Sequence, residues 1–527
     1  MISLILQLFL QKLCFYTSTL LPCLFIVLFM YKILSARSIN GKLRPPSPPR
    51  LPIIGNLHQI GELPHQSFAS FSMKYGKVML LHFGSKPILV VSTPEAACEI
   101  MKTQDQIFCN RPQLRIPTRL FYGCRDVGFA PYGEHWRRMK SLCITHMLCN
   151  KKVRSYRKMR EEEVALIVDQ IKQSSQSSSV VKLSEVISKQ TYDLICRAIF
   201  RRKYSSNDNN GGSNFKKLLD ATVVLLGVFT VGDYIPWLSW VDRVTGLDRR
   251  VERVAQEFDE SLDKLIQEHQ NRLSSKKMIN AEFDEQQRKD VAKNCIEGLL
   301  EIHMEDENAV TMDDVKANIL DLVAAGNDTT RTLLEWTMSE LLRHPKVMKI
   351  LQEELRTIVG DKSNNLKVNE DDLENLPYLK AVIKESLRLH PPVPLLVFRQ
   401  PMQDAKINGF DIGADTHVYI NAWAIHRDPT YWDEPMEFRP ERFLNTSTFS
   451  FKRQDDFRYI PFGGGRRICP GIDFAMVNAE VMLANLVYEF DWKVPAECGE
   501  LDMTETVGIA VHKRDPLMVI ATPYSSS

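Results

Sequence analysis

One cysteine of this chain lies in a setting that favours chemistry over packing. Residues 461–471, PFGGGRRICPG, surround Cys469 with three consecutive glycines and two arginines, and the apolar stretch that follows predicts a helix from Ile472. Helix N-termini stabilise thiolates, and glycines let the backbone approach a flat ligand closely because no Cβ intervenes. A thiolate beside Arg466 and Arg467, whose guanidinium groups suit carboxylates, describes an axial haem ligand with arginine meeting a propionate.

Two other interpretations of this loop explain fewer of its residues. A phosphate-binding loop would need G-x-x-x-x-G-K-[ST], or G-x-G-x-x-G after a strand, and the chain has neither pattern there. A tight turn with an inert cysteine would be the default for a lone Cys-Pro-Gly, but it leaves the arginines and Phe462 unexplained. The chain has 11 scattered cysteines and no C-x-x-C, so neither a disulfide framework nor a zinc ribbon is indicated.

A second candidate site lies on a long predicted helix. Thr311 is a suitable N-cap and Pro345 ends the helical pattern, so about 30 residues at 1.5 Å each predict an element of roughly 45 Å that crosses a whole domain. Small residues at 324–326 open a groove in this helix, and the hydroxyl of Thr329 can bond back to a carbonyl or donate to something bound there. The residues alone leave a plain helix-packing groove as an alternative.

Composition sets the broad class of the protein. The 527 residues are 44% hydrophobic and 25% charged with a net charge of +2, which is typical of a globular protein and argues against an electrostatic nucleic-acid binder. Because no flexible linker follows residue 60, we expect one large body rather than several domains. A β-hairpin is predicted over residues 77–92, and polar stretches predict surface loops at 173–179, 204–214 and 271–290.

The N-terminal residues predict a membrane anchor. Residues 13–31 carry no charge, and a run of about 20 apolar residues matches the thickness of a bilayer core. A cleaved signal peptide is the alternative, but the apolar region is long for one and no small-x-small cleavage site follows it. The basic residues that come next predict a cytosolic body. The expected division is an anchor over 1–34, a basic proline-rich hinge over 35–52 and a catalytic domain over 53–527.

Four motifs together resemble a known family. Phe462-x-x-Gly465-x-Arg467-x-Cys469-x-Gly471 resembles the haem-ligand signature of the cytochrome P-450 superfamily of haem-thiolate monooxygenases. Residues 324–330, AAGNDTT, resemble its oxygen-activation motif, and Glu385-x-x-Arg388 with the segment 440–443, PERF, resemble its E-x-x-R and P-E-R-F motifs. The segment 136–140, WRRMK, is similar to the family's W-x-x-x-R, with lysine in the place of the final arginine.

The resemblance implies roles for particular residues. Cys469 would be the axial ligand of the iron of haem b, Thr329 would hydrogen-bond dioxygen, and Asp328 would help to relay protons. Glu385, Arg388 and Arg442 would form a buried structural triad. The implied haem-binding residues are Trp136, Lys140, Ala325, Arg399, Phe462, Gly465, Arg467 and Cys469. The implied substrate-contact regions are residues 112–128, 323–328, 394–397 and 506–510. Lys140 lacks the bidentate fork of arginine, so its contact with a propionate is expected to be weaker.

The implied fold class is mainly α (α+β), a single cytochrome P-450 fold with a long central helix and small β regions after one transmembrane helix. The residues of these motifs resemble those of plant microsomal A-type members of the family. That implies insertion of one oxygen atom from O2 into a small lipophilic plant metabolite, with electrons from an NADPH-dependent reductase and cytochrome b5 as a further candidate partner. It also implies single-pass anchoring in the endoplasmic reticulum. A haem-thiolate isomerase or dehydratase acting without O2, and a non-catalytic haem-binding protein, are the alternatives.

Overall fold

The computed structural model describes residues 43–176, 179–204, 212–280, 295–360, 366–444, 449–453 and 455–524, and in addition residues 22, 23 and 26. The predicted anchor, 1–34, and residues 35–42 of the predicted hinge therefore lie outside the described residues apart from those three positions. Within the described ranges, no single helix combines the length and hydropathy of a membrane span. One pair, Asn214–Tyr234 with Pro236–Val244, meets both criteria only when joined, and it is bent by 110°.

Helices dominate the described residues, as the sequence predicts. In chain order they are α1 (Pro64–Tyr75), α2 (Pro94–Cys98), α3 (Asp105–Phe108), α4 (Arg115–Leu120), α5 (Glu134–Cys143), α6 (Asn150–Ser155), α7 (Arg157–Gln176), α8 (Leu183–Phe200), α9 (Gly212–Leu226), α10 (Val231–Tyr234), α11 (Trp240–Val244), α12 (Leu247–Asn280), α13 (Cys295–Glu305), α14 (Met312–Arg343), α15 (Pro345–Val359), α16 (Pro377–Leu389), α17 (Ala422–Ile425) and α18 (Ile472–Glu489).

The strands are short and form small sheets at the periphery of the helices. They are β1 (Val78–Phe83), β2 (Lys86–Val91), β3 (Val181–Lys182), β4 (Ala405–Ile407), β5 (Phe410–Ile412), β6 (His417–Ile420), β7 (Phe490–Lys493) and β8 (Met518–Pro523). The sheet orders are β1-β2-β6, β3-β8-β7 and β4-β5. The predicted hairpin is confirmed, because β1 and β2 pair antiparallel with Val78 opposite Val91, while β6 joins β2 in parallel.

The predicted long helix is confirmed as α14, which has 32 residues and a length of about 48 Å. The hydroxyl of Thr311 accepts a hydrogen bond from the Asp314 N–H at 3.2 Å, and the Asp314 carboxylate accepts one from the Thr311 N–H at 2.8 Å. This capping box pairs N–H groups that a helix start otherwise leaves free. The N-terminal half of α14 packs in one apolar cluster and its C-terminal half in another, so a single helix joins the two.

The polar stretches are less loop-like than the sequence predicts. Helix α7 continues to Gln176, and α12 continues to Asn280, so the predicted loops over 173–179 and 271–290 are wrong in their first parts. Polar composition indicates exposure, but lysine, glutamine and arginine are also good helix formers. Tyr204 is 5% exposed and packs against Phe200 at a centroid distance of 5.5 Å, so it belongs to the core and not to a surface loop.

The proline-rich segment lies against the body where it is described. The Pro46 carbonyl accepts a hydrogen bond from the N–H of Leu80 in β1 at 2.9 Å. The Asn56 amide donates to the Pro49 carbonyl at 3.2 Å. Because proline has no N–H, these carbonyls are the backbone groups through which the segment is fastened.

A buried ion network ties α16 to the chain segment that follows α17. Glu385 and Arg388 have fully buried side chains and meet at 2.7 Å, and the Arg442 Nε donates to the same carboxylate at 3.1 Å. The remaining donors of Arg388 go to backbone carbonyls, including those of His426 and Pro435. Glu385, Arg388 and Arg442 thus form one buried, hydrogen-bonded ion network, as the sequence predicts.

Removal of Arg388 is expected to be much more costly than removal of its neighbour Arg439. Arg388→Ala leaves the Glu385 charge buried and removes two of the hydrogen bonds that this carboxylate accepts, for a loss of about 3–5 kcal/mol in the free energy of unfolding. The Arg439 side chain is 37% exposed and pairs with the exposed Asp433, so Arg439→Ala should cost about 0–1 kcal/mol. Urea unfolding of both variants measures the difference, and equal losses would contradict the assigned role of the network.

Candidate active site

A cavity of about 310 Å³ lies between α14 and the cysteine loop. Nine of the ten predicted site residues line it, namely Trp136, Lys140, Ala325, Asp328, Thr329, Arg399, Phe462, Arg467 and Cys469. Each predicted substrate-contact region also contributes to the wall, for example through Phe121, Gly326, Val397 and Ile509. Side chains of α8 and α9 that the sequence did not single out, Ile195, Val223 and Leu226, complete an apolar side.

Cys469 lies three residues before α18 begins at Ile472. The Cys469 N–H donates to the Phe462 carbonyl at 3.1 Å, which closes the loop over 462–469. Burial raises the pKa of the Cys469 thiol, and a hydrogen bond from the Gly471 N–H offsets only part of that effect. The sulfur therefore needs a cation to become a thiolate at neutral pH, and a coordinated metal ion deprotonates a thiol outright.

Gly465 is the predicted site residue that does not line the cavity. Its φ is +67°, and a Cβ there would lie 2.2 Å from the Met101 carbonyl oxygen and 2.4 Å from Asp105 Oδ1. The glycine is thus required by the close approach of the segment before α3, not by a ligand. The contact is fastened by the Arg466 N–H, which donates to Asp105 Oδ2 at 3.0 Å.

Basic side chains gather in one part of the cavity wall: Arg111, Lys140, Arg399 and Arg467. Arg467 donates to the carbonyls of Cys109 at 2.7 Å and Ala130 at 2.6 Å, and Arg111 donates to that of Val397 at 2.6 Å. Burial, and then the charges of Arg467 and Arg399, lower the pKa of Arg111. The mutual repulsion shows a surplus of positive charge that two carboxylates would neutralise.

The lysine in the place of the usual arginine also faces this cluster. Lys140 Nζ lies 5.0 Å from the centroid of the Trp136 ring and donates to the Arg466 carbonyl at 2.5 Å. The Trp136 Nε1–H donates to the Val127 carbonyl at 3.0 Å, while its ring lies 4.2 Å from the Arg467 guanidinium carbon. Trp136 therefore supports the neighbouring cations through its π face.

The central helix forms another part of the wall. A Cβ on Gly326 would lie 2.9 Å from the Cδ1 of Ile195, so this glycine lets α8 pack closely on α14 as well as lining the cavity. The helix-packing interpretation is confirmed for this groove, and the groove also forms part of the cavity wall. Thr329 Oγ1 donates back to the Ala325 carbonyl at 2.8 Å. That hydroxyl lies at the cavity wall and has an acceptor site left for a bound molecule.

Asp328 has a partner that the sequence did not reveal. Its Oδ1 lies 2.9 Å from Nε2 of His512, and Nδ1 of the same ring lies 2.7 Å from Thr332 Oγ1. No motif marks His512, because it is 184 residues beyond Asp328 in the chain. The imidazole holds the carboxylate in one orientation at the edge of the cavity.

Two buried carboxyl groups hold a loop of the cavity wall against α14. Asp321 accepts from the Gly128 N–H at 3.0 Å, and Asp126 accepts from the Phe129 N–H at 2.7 Å. Burial, and then the charge of Asp321, raise the pKa of Asp126. The negative charge of each acid therefore disfavours ionisation of the other. No sequence pattern marks this pair, since single aspartates carry no periodicity.

The residues present fit a haem. One sulfur can ligate the iron, the buried cations can neutralise two propionates, and small or flat side chains such as Ala325 and Phe462 leave room for a planar ring. A neutral metabolite would add no counter-charge to this cluster, in which Asp105 pairs with Arg399 at 3.3 Å. The fit therefore rests on charge as well as on shape.

Comparison with known proteins agrees with the site. The family described as "Cytochrome P450" matches residues 45–520. The chain is 47% identical to "Cytochrome P450 736A117" of Prunus mume over 98% of this chain and 97% of the relative. It is 46% identical to "Norfluorocurarine oxidase" of a Strychnos species, with 95% and 97% covered, and 45% identical to "(+)-menthofuran synthase" of Mentha piperita, with 93% and 95% covered.

Solved structures share the fold. A zebrafish cytochrome P-450 whose structure contains abiraterone superimposes with a TM-score of 0.71 at 24% identity, covering 88% of this chain and 100% of the other. A second structure of a zebrafish cytochrome P-450, with progesterone, has a TM-score of 0.70 with the same coverage. The mainly helical architecture with small sheets is thus the fold that the sequence predicts.

Two glycines of the cysteine loop offer a matched test of its packing. Gly463 and Gly465 have φ of +69° and +67°, but a Cβ on Gly463 would meet only Leu396 Cδ1 at 3.8 Å. Gly463→Ala should therefore lower the free energy of unfolding only through backbone strain, by about 1–2 kcal/mol. Gly465→Ala adds the steric overlap with residues 101 and 105, so its total loss in the free energy of unfolding should be about 2–5 kcal/mol. Thermal unfolding and haem content measure both, and equal effects would contradict the close approach at Gly465.

Proposed function

We propose, from the premise that this chain belongs to the cytochrome P-450 family of haem-thiolate monooxygenases, that it inserts one oxygen atom from O2 into a small lipophilic plant metabolite. The observation that carries the proposal is one cavity that joins Cys469, a surplus of buried positive charge and the Asp328–Thr329 pair. The relatives named norfluorocurarine oxidase and (+)-menthofuran synthase support a small organic substrate of the terpenoid, phenolic, coumarin or alkaloid type.

The protein's own residues divide the work of holding the cofactor. When bound, haem b supplies the iron at which O2 is reduced with electrons from NADPH. Cys469 would ligate the iron, and Arg399, Arg467 and Lys140 would neutralise the propionates together with Arg111. Phe462 and Ala325 would flank the ring, and Gly465 positions the loop without lining the cavity. A thiolate ligand would supply the electron density that favours cleavage of an O–O bond.

Proton handling falls to the polar side chains of the central helix. In this proposal the Thr329 hydroxyl donates a hydrogen bond into the cavity, and Asp328 supplies the protons that it passes on. The 2.8 Å bond of Thr329 to the Ala325 carbonyl keeps the hydroxyl at the wall between these events. A haem-thiolate isomerase or dehydratase needs no such pair, so its presence in the wall favours the monooxygenase over that alternative and over a non-catalytic binding protein.

The wall supports a lipophilic substrate. Leu226, Val397 and Ile509 line the cavity beside Phe121 and Phe129, and the charged residues of the wall have the roles given above. An apolar wall orients a substrate by shape and excludes water, so a C–H bond can be held near the iron without a polar anchor. This side of the pocket selects the substrate in our proposal.

We also infer the setting of the enzyme. Residues 1–34 anchor it in the endoplasmic reticulum membrane by a single span, the hinge 35–52 connects that span to the body, and the catalytic domain 53–527 faces the cytosol. An NADPH-dependent reductase, with cytochrome b5 as a further donor, approaches the side of the cysteine loop. Arg466, whose side chain is 45% exposed, gives that side a positive charge suited to an acidic partner.

Replacement of the sulfur tests the ligand assignment. Cys469→Ser should abolish the thiolate signature in the carbon monoxide difference spectrum of the reduced protein, because a serine hydroxyl does not replace a thiolate. Cys109→Ser serves as the control, since Cys109 does not line the cavity, its thiol hydrogen-bonds to the Gln106 carbonyl, and the substitution keeps the Cys109 carbonyl that Arg467 contacts. Retention of the thiolate signature in Cys469→Ser would rule out Cys469 as the ligand.

Adjacent threonines test the proton role. Thr329→Ala removes the hydroxyl at the cavity wall and should raise the fraction of consumed O2 that leaves as H2O2 several-fold in the reductase-supported reaction. Thr330→Ala is the matched control, because Thr330 is 1% exposed, lies outside the cavity wall and its hydroxyl has no hydrogen-bond partner. Equal H2O2 fractions in the two variants would remove Thr329 from the proposed relay.

A further inference from the structure

An imidazole ring bridges two residues of the central helix. Asp328 and Thr332 are four residues apart and lie on one face of α14, where the ring of His512 contacts both. The side chains of His512 and Asp328 are only 16% and 11% exposed. An acid at the edge of the catalytic cavity is therefore paired with a titratable group that the proposed function has not used.

The backbone around His512 is fixed on both sides. The His512 N–H donates to Thr506 Oγ1 at 3.1 Å, and the Thr506 N–H donates to the His512 carbonyl at 2.8 Å. The preceding residue, Val511, accepts a hydrogen bond from the Trp336 indole N–H of α14 at 3.0 Å. The ring is thus held against the helix by bonds that do not depend on Asp328, so it can orient the carboxylate instead of following it.

The ring lies between two oxygen atoms of α14. Thr332 Oγ1 is within hydrogen-bond distance of the Asp328 carbonyl and of His512 Nδ1, at 2.7 Å in both cases. His512 Nε2 lies 2.9 Å from Asp328 Oδ1. A proton taken up by the ring can therefore pass from Nε2 to the carboxylate, with the N–H bond broken and an O–H bond formed.

A charged cavity lies near this pair, because its wall includes Arg331, three residues after Asp328 on α14, and Lys513, which follows His512. It has a volume of about 190 Å³ and is lined by Lys216, Asp220, Arg331, Glu335 and Lys513 together with smaller polar residues. Glu185, whose side chain is 67% exposed, is part of the wall, so the cavity reaches the surface.

Asp220 connects the charged cavity to the histidine–aspartate pair. Burial raises the pKa of Asp220, while the charges of Lys216, Arg331 and His512 lower it and that of Asp328 raises it. Asp220 is therefore close enough to interact electrostatically with both His512 and Asp328. The charged groups that line the cavity come from α9, from α14 and from the C-terminal segment, and Asp220 is the member whose electrostatic interactions reach the pair.

We propose that His512 is a positioning residue for Asp328, which it holds in place and recharges with protons drawn from water in the charged cavity. After Asp328 has passed its proton toward Thr329, a proton from that water is taken up by the ring and passes from Nε2 to the carboxylate, so the charge of the pair returns to its starting value. This inference deepens the proposed function and rests on the roles of Asp328 and Thr329 given there.

The first test compares variants in the reductase-supported oxidation of NADPH, with O2 as the probe. His512→Gln keeps an N–H donor for Asp328 but carries no titratable proton, so it should raise the H2O2 fraction several-fold and increase the solvent isotope effect. Thr332→Val keeps His512 but removes its Nδ1 partner, and a smaller rise is expected. His303→Gln is the control, because His303 lines neither cavity and its Nδ1 lies 2.8 Å from the Val310 carbonyl oxygen.

The outcomes separate the two proposals. If Thr329→Ala raises the H2O2 fraction but His512→Gln does not, the inference about His512 is overturned and the proposed function stands. If neither variant raises it, the proposed relay itself is overturned. The carbon monoxide difference spectrum establishes that each variant is folded around its haem, and Thr332→Val supplies the test if His512→Gln fails to fold.

A second readout does not depend on turnover. It is an NMR spectrum of the full-length protein labelled with ¹⁵N-histidine. The ring signals of His512 are assigned as those that disappear in His512→Gln. The resonance of its Nε2 proton should lie far downfield, as expected for a donor to a carboxylate, and should shift upfield in Asp328→Asn but not in Thr329→Ala. A His512 signal that is indifferent to Asp328→Asn would overturn the proposal.

Discussion

Burying a cation without a counter-charge costs several kcal/mol, and this fold buries Arg111, Arg399 and Arg467 around one cavity. The carboxylate that meets them directly, Asp105, lies 3.3 Å from Arg399 and is shared with Arg466. The other guanidinium donors are directed at backbone carbonyls of the loops that form the wall. Those loops converge because the arginines hold them, and a cofactor with two carboxylates completes the charge balance that the protein leaves open.

The position of the central helix is set by packing rather than by charge. Its two halves lie in separate apolar clusters, so any shift of α14 would disturb both parts of the core. The same helix carries Asp328 and Thr329 at the cavity wall, and Gly326 lets α8 approach it within van der Waals contact. Two polar side chains on such an element are held by the packing of the whole helix, which gives them a fixed position relative to Cys469.

Local patterns predicted most of the elements and much of the site. The hairpin, the Thr311 cap and the helix after Cys469 each depend on residues that are neighbours in the chain, and the structure confirms them. The ends of α7 and α12 were not predicted, because polar composition reports exposure and not backbone conformation. Arg111, Asp105 and His512 were missed for another reason: each acts through a partner far away in sequence and has no periodicity of its own.

The sequence alone therefore determined the chemistry available: one thiol before a helix, an acid–threonine pair in a groove and the arginines near them. The tertiary structure decided which of these groups share a cavity, which glycine serves packing and which serves the ligand, and which group accompanies Asp328. The physical reason is that hydrogen bonds and charge repulsion act over a few ångströms, and Arg467 reaches the Cys109 carbonyl across 358 residues of chain. Only folding brings such groups within that range.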